Sequence, residues 1–116
     1  MCRVLLVDDD EDCRRTVARL LRRSGYEVVE AEDGREGMAI ASAQHPDAVV
    51  TDVNMPHLDG WQVRRALAAN PRTTDILVIV LTSEAAGGHP SEKGLILSKP
   101  LDTEGASTLL DALSRI

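Results

Sequence analysis

Six side chains have the types and placement to do chemistry together. Asp8 and Asp9 follow the apolar run RVLLV, Asp52 closes DAVVTD, Thr82 and Ser83 follow DILVIVL, and Lys99 follows GLILS. Each stands at the end of a short β-rich run. Three carboxylates brought to one rim repel one another, and an unpaired buried carboxylate is costly. A hard divalent cation resolves that conflict. Mg2+ takes a few carboxylate oxygens, waters and a substrate phosphate in preference to a closed protein cage. Lys99 brings a point charge for a phosphoryl oxygen, the Thr82 hydroxyl can donate to another, and Ser83 is small enough to leave room. One carboxylate, assisted by the metal, can then act as nucleophile and form an acyl phosphate. Each residue also has a plainer reading. The run DDDED over 8–12 suits a helix N-terminus, where acids are favoured. Asp52 alone is loop chemistry, a strand-end Thr is ordinarily structural, and a Lys before Pro is ordinarily solvated. Only their joint placement is specific.

That placement depends on the elements between them. RVLLVD (3–8), YEVVEA (26–31), DAVVTD (47–52), DILVIVL (75–81) and GLILS (94–98) have strand length and composition. A helix is predicted over 10–24, with Cys13, Val17, Leu20 and Leu21 on one face and Gly25 as its stop. A second runs from Arg35 to about Gln44, capped by Asp33 and ended by His45-Pro46. A third runs from Trp61 to about Ala69, ended by Asn70-Pro71. A last one covers Thr103 to Arg115, with Asp102 as cap and Ala106, Leu109, Leu110 and Leu113 as its buried stripe. Strands alternating with helices give a doubly wound α/β domain with a parallel sheet covered on both faces. Ligands of such sheets sit outside the carboxyl ends of the strands, where the six residues fall.

Composition narrows the function classes. With 116 residues the chain is one domain, 1–116, able to bury a core without disulfide or structural metal. Nineteen acids against thirteen bases give a net charge of −6, the opposite of a phosphate-binding stripe. Phe is absent and Trp61 and Tyr26 are the only aromatics, which removes base stacking as well. No direct nucleic-acid binding is expected. The longest apolar run, ILVIVL at 76–81, is too short to span a bilayer. MCRVLLVDDD lacks the pattern of a signal peptide. Cys2 and Cys13 have neither metal spacing nor a CxxC pattern, so reduced thiols and a cytoplasmic location are expected.

At these residues the chain resembles the response-regulator receiver domain of two-component signalling, over essentially all 116 positions. LLVDDDED is similar to the family's strand-one acidic pair, TDVNMPHLDG to its phosphoacceptor segment, and LTSE and LSKP to its switch-hydroxyl and lysine segments. The resemblance implies a flavodoxin-like five-stranded sheet of order 2-1-3-4-5, as in the chemotaxis regulator. It implies Asp52 as phosphoacceptor, with Thr82 and Lys99 beside it. Mg2+ would be held by Asp9, Asp52 and the Asn54 backbone carbonyl, with Asp8 acting through water. It further implies a sensor histidine kinase or phosphotransfer protein as donor, an unidentified downstream protein as reader, and no enzyme activity beyond self-phosphorylation and self-dephosphorylation. Asn54 and Glu84, two positions beyond the phosphoacceptor and the switch Thr, can orient an attacking water and so modulate hydrolysis.

The chain also departs from that family. Only residues 83–93 lie between Thr82 and the fifth strand, and they include Gly87, Gly88 and Pro90. A full fourth helix does not fit there, so a shortened or irregular one is expected. Ile96 stands where the family usually carries an aromatic. The Arg-rich first helix is expected to be a solvated face, with Arg14, Arg15 and Ala18 helping to choose the kinase. Trp61 reads as half-buried packing, and His45, His57 and His89 as solvated.

The rival reading is a pseudo-receiver, a constitutive interaction module without phosphorylation. A Mg2+-dependent phosphatase with an Asp nucleophile would want a second acid two residues on, where Asn54 stands. A flavin site would want a glycine-rich loop after strand one, where the chain is acidic. No effector domain lies within the 116 residues, which suits either a stand-alone regulator or the receiver part of a longer protein.

Overall fold

The structure, a computed structural model, describes residues 2–53, 55, 58–82, 95–98 and 103–115. In chain order they form β1 (Arg3–Val7), α1 (Glu11–Arg23), β2 (Glu27–Ala31), α2 (Gly34–Gln44), β3 (Ala48–Asp52), α3 (Gly60–Ala69), β4 (Leu77–Thr82), β5 (Leu95–Ser98) and α4 (Thr103–Leu113). The strands make one sheet of order β2-β1-β3-β4-β5. Every pairing in it is parallel.

The central strands are apolar almost throughout because both of their faces are covered. Successive side chains point to opposite faces. Val4 and Leu6 of β1, Ala48 and Val50 of β3, and Ile79 and Leu81 of β4 join one core with Val17, Ala18 and Leu21 of α1 and Leu109 and Leu113 of α4. Leu5 and Val7, Val49, and Val78 and Val80 join the other, with Ala41 of α2 and Val63 and Leu67 of α3. The helices α1 and α4 therefore cover one face, and α2 and α3 the other.

The helix ends carry the expected caps and one more. The Asp33 carboxylate accepts from the Glu36 N–H at 2.9 Å, and His45 ends α2 in the left-handed region with φ 46°. At α3, Asp59 and Gln62 form a reciprocal capping box, with bonds of 2.8 and 2.9 Å. The turn at Gly25 has φ +94°, which a side chain would strain.

Two expectations fall differently. The buried stripe of α1 is Arg14, Val17, Ala18 and Leu21, whereas Cys13 and Leu20 are only partly buried. A count of apolar residues misplaces the stripe because a charged residue occupies one of its positions. In α4, Leu109 and Leu113 are buried as expected while Ala106 and Leu110 are half-buried. The 83–93 crossover, the Asp102 cap, His57 and His89 lie outside the described residues.

Candidate functional site

The parallel register brings the acids together. Val7 pairs with Thr51, so Asp8 and Asp52 leave adjacent strands at the same level. Asp52 in turn pairs with Leu81, which places Thr82 one step further along β4. Oxygens of Asp8, Asp9 and Asp52 lie within 4.8 Å of one another. Asp8 is 1% exposed and Asp52 8%, whereas Asp9 is open to solvent. Thr82 is 2% exposed. It pairs with Ser98, the last residue of β5. Asn54, Ser83, Glu84 and Lys99 lie outside the described residues.

Two buried acids at one rim need support, and each has it from its own surroundings. Asp8 accepts from the Asp10 N–H through Oδ1 at 3.0 Å. Its backbone carbonyl accepts from Arg14 Nη1 at 2.9 Å. Arg14 is 7% exposed, and its Nε lies 3.2 Å from Glu30 Oε1 on β2. The guanidinium thus ties the end of β1 to the edge strand beside it. Asp52 accepts from the Val53 N–H through Oδ1 at 2.9 Å, and its carbonyl accepts from the Thr51 hydroxyl at 3.0 Å.

The first residue of α3 abuts the same strand end. The Gly60 N–H donates to the Val53 carbonyl at 2.9 Å. A Cβ at position 60 would collide with the Asp52 carbonyl oxygen and stand 3.0 Å from the Asp52 carbonyl carbon and the Val53 Cα. Glycine is required here by close approach of two backbones.

The acid run after β1 divides between its two readings. Asp10 is the cap of α1, accepting from the Cys13 N–H at 3.2 Å, and Glu11 and Asp12 stand in the first helical turn. Asp8 and Asp9 belong to the cluster. Three carboxylate oxygens within this span suit a small hard cation. At a Mg–O distance of 2.0–2.1 Å, opposite ligands are about 4.2 Å apart, so a slight closure or one bridging water brings the set into range.

The docking role expected of Arg14 and Ala18 is overturned by their burial. Ala18 is fully buried, and Arg14 is committed to the Asp8 carbonyl and Glu30. Of the three residues named for kinase choice only Arg15 is exposed. Nor is α1 wholly a solvated face, since one of its arginines is structural. Trp61 is half-buried, as expected. His45 is exposed but paired, its Nε2 lying 3.1 Å from Asp75 Oδ1. That contact holds the ring's pKa above its ordinary value, because the carboxylate stabilises the imidazolium. Composition and spacing gave no sign of Gly60 or Arg14. Their roles arise from contacts between elements.

Comparison with known proteins agrees with this geometry. The model of the response regulator receiver domain matches residues 4–108. Response regulator MprA of Mycolicibacterium vanbaalenii is 39% identical over 97% of this chain, which spans about half (50%) of that relative. The chemotaxis protein CheY4 of Vibrio cholerae superposes with a TM-score of 0.85 at 33% identity, covering 100% of this chain and 98% of that one. The receiver domain of a sensor histidine kinase from Pseudomonas aeruginosa, solved with magnesium in its active-site cleft, gives 0.86 at 28% identity, covering 98% and 95%.

Proposed function

This chain belongs to the family of response-regulator receiver domains of two-component signalling, and we propose that it works as one by accepting a phosphoryl group on Asp52. The donor is a phosphohistidine on a sensor kinase or phosphotransfer protein. An Asp52 carboxylate oxygen attacks phosphorus, the P–N bond breaks, and the leaving imidazole takes a proton from solvent. Asp9, Asp52 and the Asn54 carbonyl would hold Mg2+, with Asp8 reaching it through water; when bound, the ion neutralises charge on the phosphoryl oxygens. Lys99 neutralises another of those oxygens, the Thr82 hydroxyl donates to a third, and Ser83 leaves the approach open. Asn54 and Glu84 orient the water that later hydrolyses the acyl phosphate. The phosphorylated state is read by a downstream protein, in the cytoplasm. Among the described residues no helix is long and apolar enough to cross a membrane.

The observation that carries this reading is the convergence of Asp8, Asp9 and Asp52 at the ends of two neighbouring strands, with buried Thr82 ending the next. The test is intact mass after incubation with Mg2+ and acetyl phosphate, with Asp52→Asn alongside. The wild type should gain one phosphoryl group and the variant none. No gain, together with failure to bind a phosphoryl-mimicking fluoride complex, would refute phosphorylation and leave a constitutive binding module.

A further inference from the structure

One member of the buried stripe of α3 is charged. Gly60, Val63, Arg64 and Leu67 are its buried residues, and Val63 and Leu67 belong to the core between α2, α3 and the sheet. Arg64 itself is 4% exposed. Its Nη1 and Nη2 are closed to solvent and, among the described residues, have no hydrogen-bond partner. Arg14, also buried, differs in being bonded to the Asp8 carbonyl and to Glu30. A guanidinium stays charged in a folded protein, and a buried charge left unpaired is costly. Free anions of the solvent do not relieve that cost where the nitrogens are closed off from water.

An anion does arise at the start of the same helix. Side chains on a helix lean toward its N-terminus, and the residue one turn before Arg64 is Gly60, which has no side chain. Gly60 lies against the Asp52 carbonyl and bonds to that of Val53. One turn is about 5.4 Å, which sets the Arg64 charge within about 10 Å of Asp52. We propose that Arg64 is a buried counter-charge for the phosphorylated state, a role that rests on the phosphorylation of Asp52 proposed above. It acts through the electric field and not by contact, favouring the second negative charge that a phosphoryl group brings to Asp52. At about 10 Å and an effective dielectric constant near 20, one added charge is favoured about tenfold. The same field opposes a cation, so Mg2+ arriving alone at Asp8, Asp9 and Asp52 is repelled. Arg64 thus acts with opposite sign on the two ligands of the site.

The test is calorimetric titration of the 116-residue chain with Mg2+ alone, and then with beryllofluoride, a phosphoryl mimic, at saturating Mg2+. Arg64→Met removes the charge and keeps an apolar stem, and Arg64→Gln serves if Met disturbs the fold. Arg64→Lys keeps the charge. The neutral variants should bind beryllofluoride about tenfold more weakly than wild type, yet bind Mg2+ alone more tightly. Arg64→Lys should lie nearer to wild type for both ligands. Damage to the fold would weaken both ligands together, so opposite signs mark an effect of charge. Neutral variants that match wild type, or that weaken both ligands, would overturn the proposal, as would a Lys variant shifted as far as the Met variant. Wild type that binds no beryllofluoride would overturn the phosphorylation reading with it. Beryllofluoride bound equally by wild type and the neutral variants overturns the role of Arg64 alone.

Discussion

Gly60→Ala should damage both stability and phosphorylation, although it adds one methyl group to a helix. Alanine is the better helix former, by up to about 1 kcal/mol at an interior position and less at the first residue. Against that gain stands the collision with the Asp52 carbonyl, and the neighbouring atoms within 3.0 Å are backbone too. None is the yielding end of a flexible side chain, so α3 and the end of β3 must move apart. Overpacking of this kind costs about 1–3 kcal/mol, leaving a net loss of about 1–2 kcal/mol. For 116 residues that lowers Tm by about 4–8 °C. The displaced backbone is the one carrying Asp52, and a misplacement approaching 1 Å slows a positioned reaction about 100-fold. The assay pairs thermal melting with the rate of phosphorylation by acetyl phosphate. Gly25→Ala is the control: position 25 has φ +94° and no neighbouring atom within 4 Å, so it is strained but remote from the site. It should lose about 1 kcal/mol and keep its rate. Gly60→Ala with wild-type Tm and rate would refute the close-approach argument. Equal rate losses in both variants would show that stability alone accounts for the effect.

Arg14→Met keeps much of the aliphatic stem but removes the bonds to the Asp8 carbonyl and Glu30. It should cost about 1–3 kcal/mol in urea unfolding and weaken Mg2+ binding, followed by emission of Trp61, the only tryptophan. Asp52→Asn retains an oxygen for the Val53 N–H while removing one of three converging charges. Its unfolding free energy from urea titration should exceed that of wild type without Mg2+ by about 1 kcal/mol, and the gap should close or reverse with saturating Mg2+. His45 has its pKa raised first by the hydrogen bond its ring donates to Asp75 and then by that residue's charge. The contribution of the pair is therefore complete below the unfolded value near 6.5 and fades as pH rises through the higher folded value. In Asp75→Asn the NMR titration midpoint of His45 should fall, and an unchanged midpoint would refute the pairing. Asn54→Leu should lengthen the lifetime of the acyl phosphate, measured by loss of the phosphorylated mass.

The main-chain architecture was legible because two periodicities do not overlap. Runs such as RVLLV are too short and too continuously apolar for a surface helix, and β1 does supply side chains to both cores. The caps at Asp33 and His45 were legible for local reasons. The capping box at Asp59 and Gln62 was equally open to reading, since an acid followed three residues later by Gln is its signature. Arg14 was not legible. A pattern that scores only apolar side chains leaves out a guanidinium whose partners are a carbonyl six residues away and a carboxylate on another strand. Gly60 sits in a stretch that reads as turn chemistry, and its real constraint is the Asp52 backbone. The His45–Asp75 pair joins residues thirty apart, for which a single sequence carries no signal.

These contacts also divide the site mechanically. On its β1–β3 side each buried acid is held twice over. Asp8 has a bond to its carboxylate from Asp10 and one to its carbonyl from Arg14. Asp52 has Val53 on its carboxylate and Thr51 on its carbonyl, with Gly60 packed against the same oxygen. Moving either acid breaks hydrogen bonds in a region with little water to replace them, which is expensive. The carboxylates therefore form a fixed frame, into which the phosphoryl group of the proposed reaction would have to fit. On the other side of the site, Thr82 ends β4 opposite Ser98. Ile96 lies two residues before Ser98 and pairs with Val80. An aliphatic side chain at that register position cannot repeat the motion of an aromatic ring.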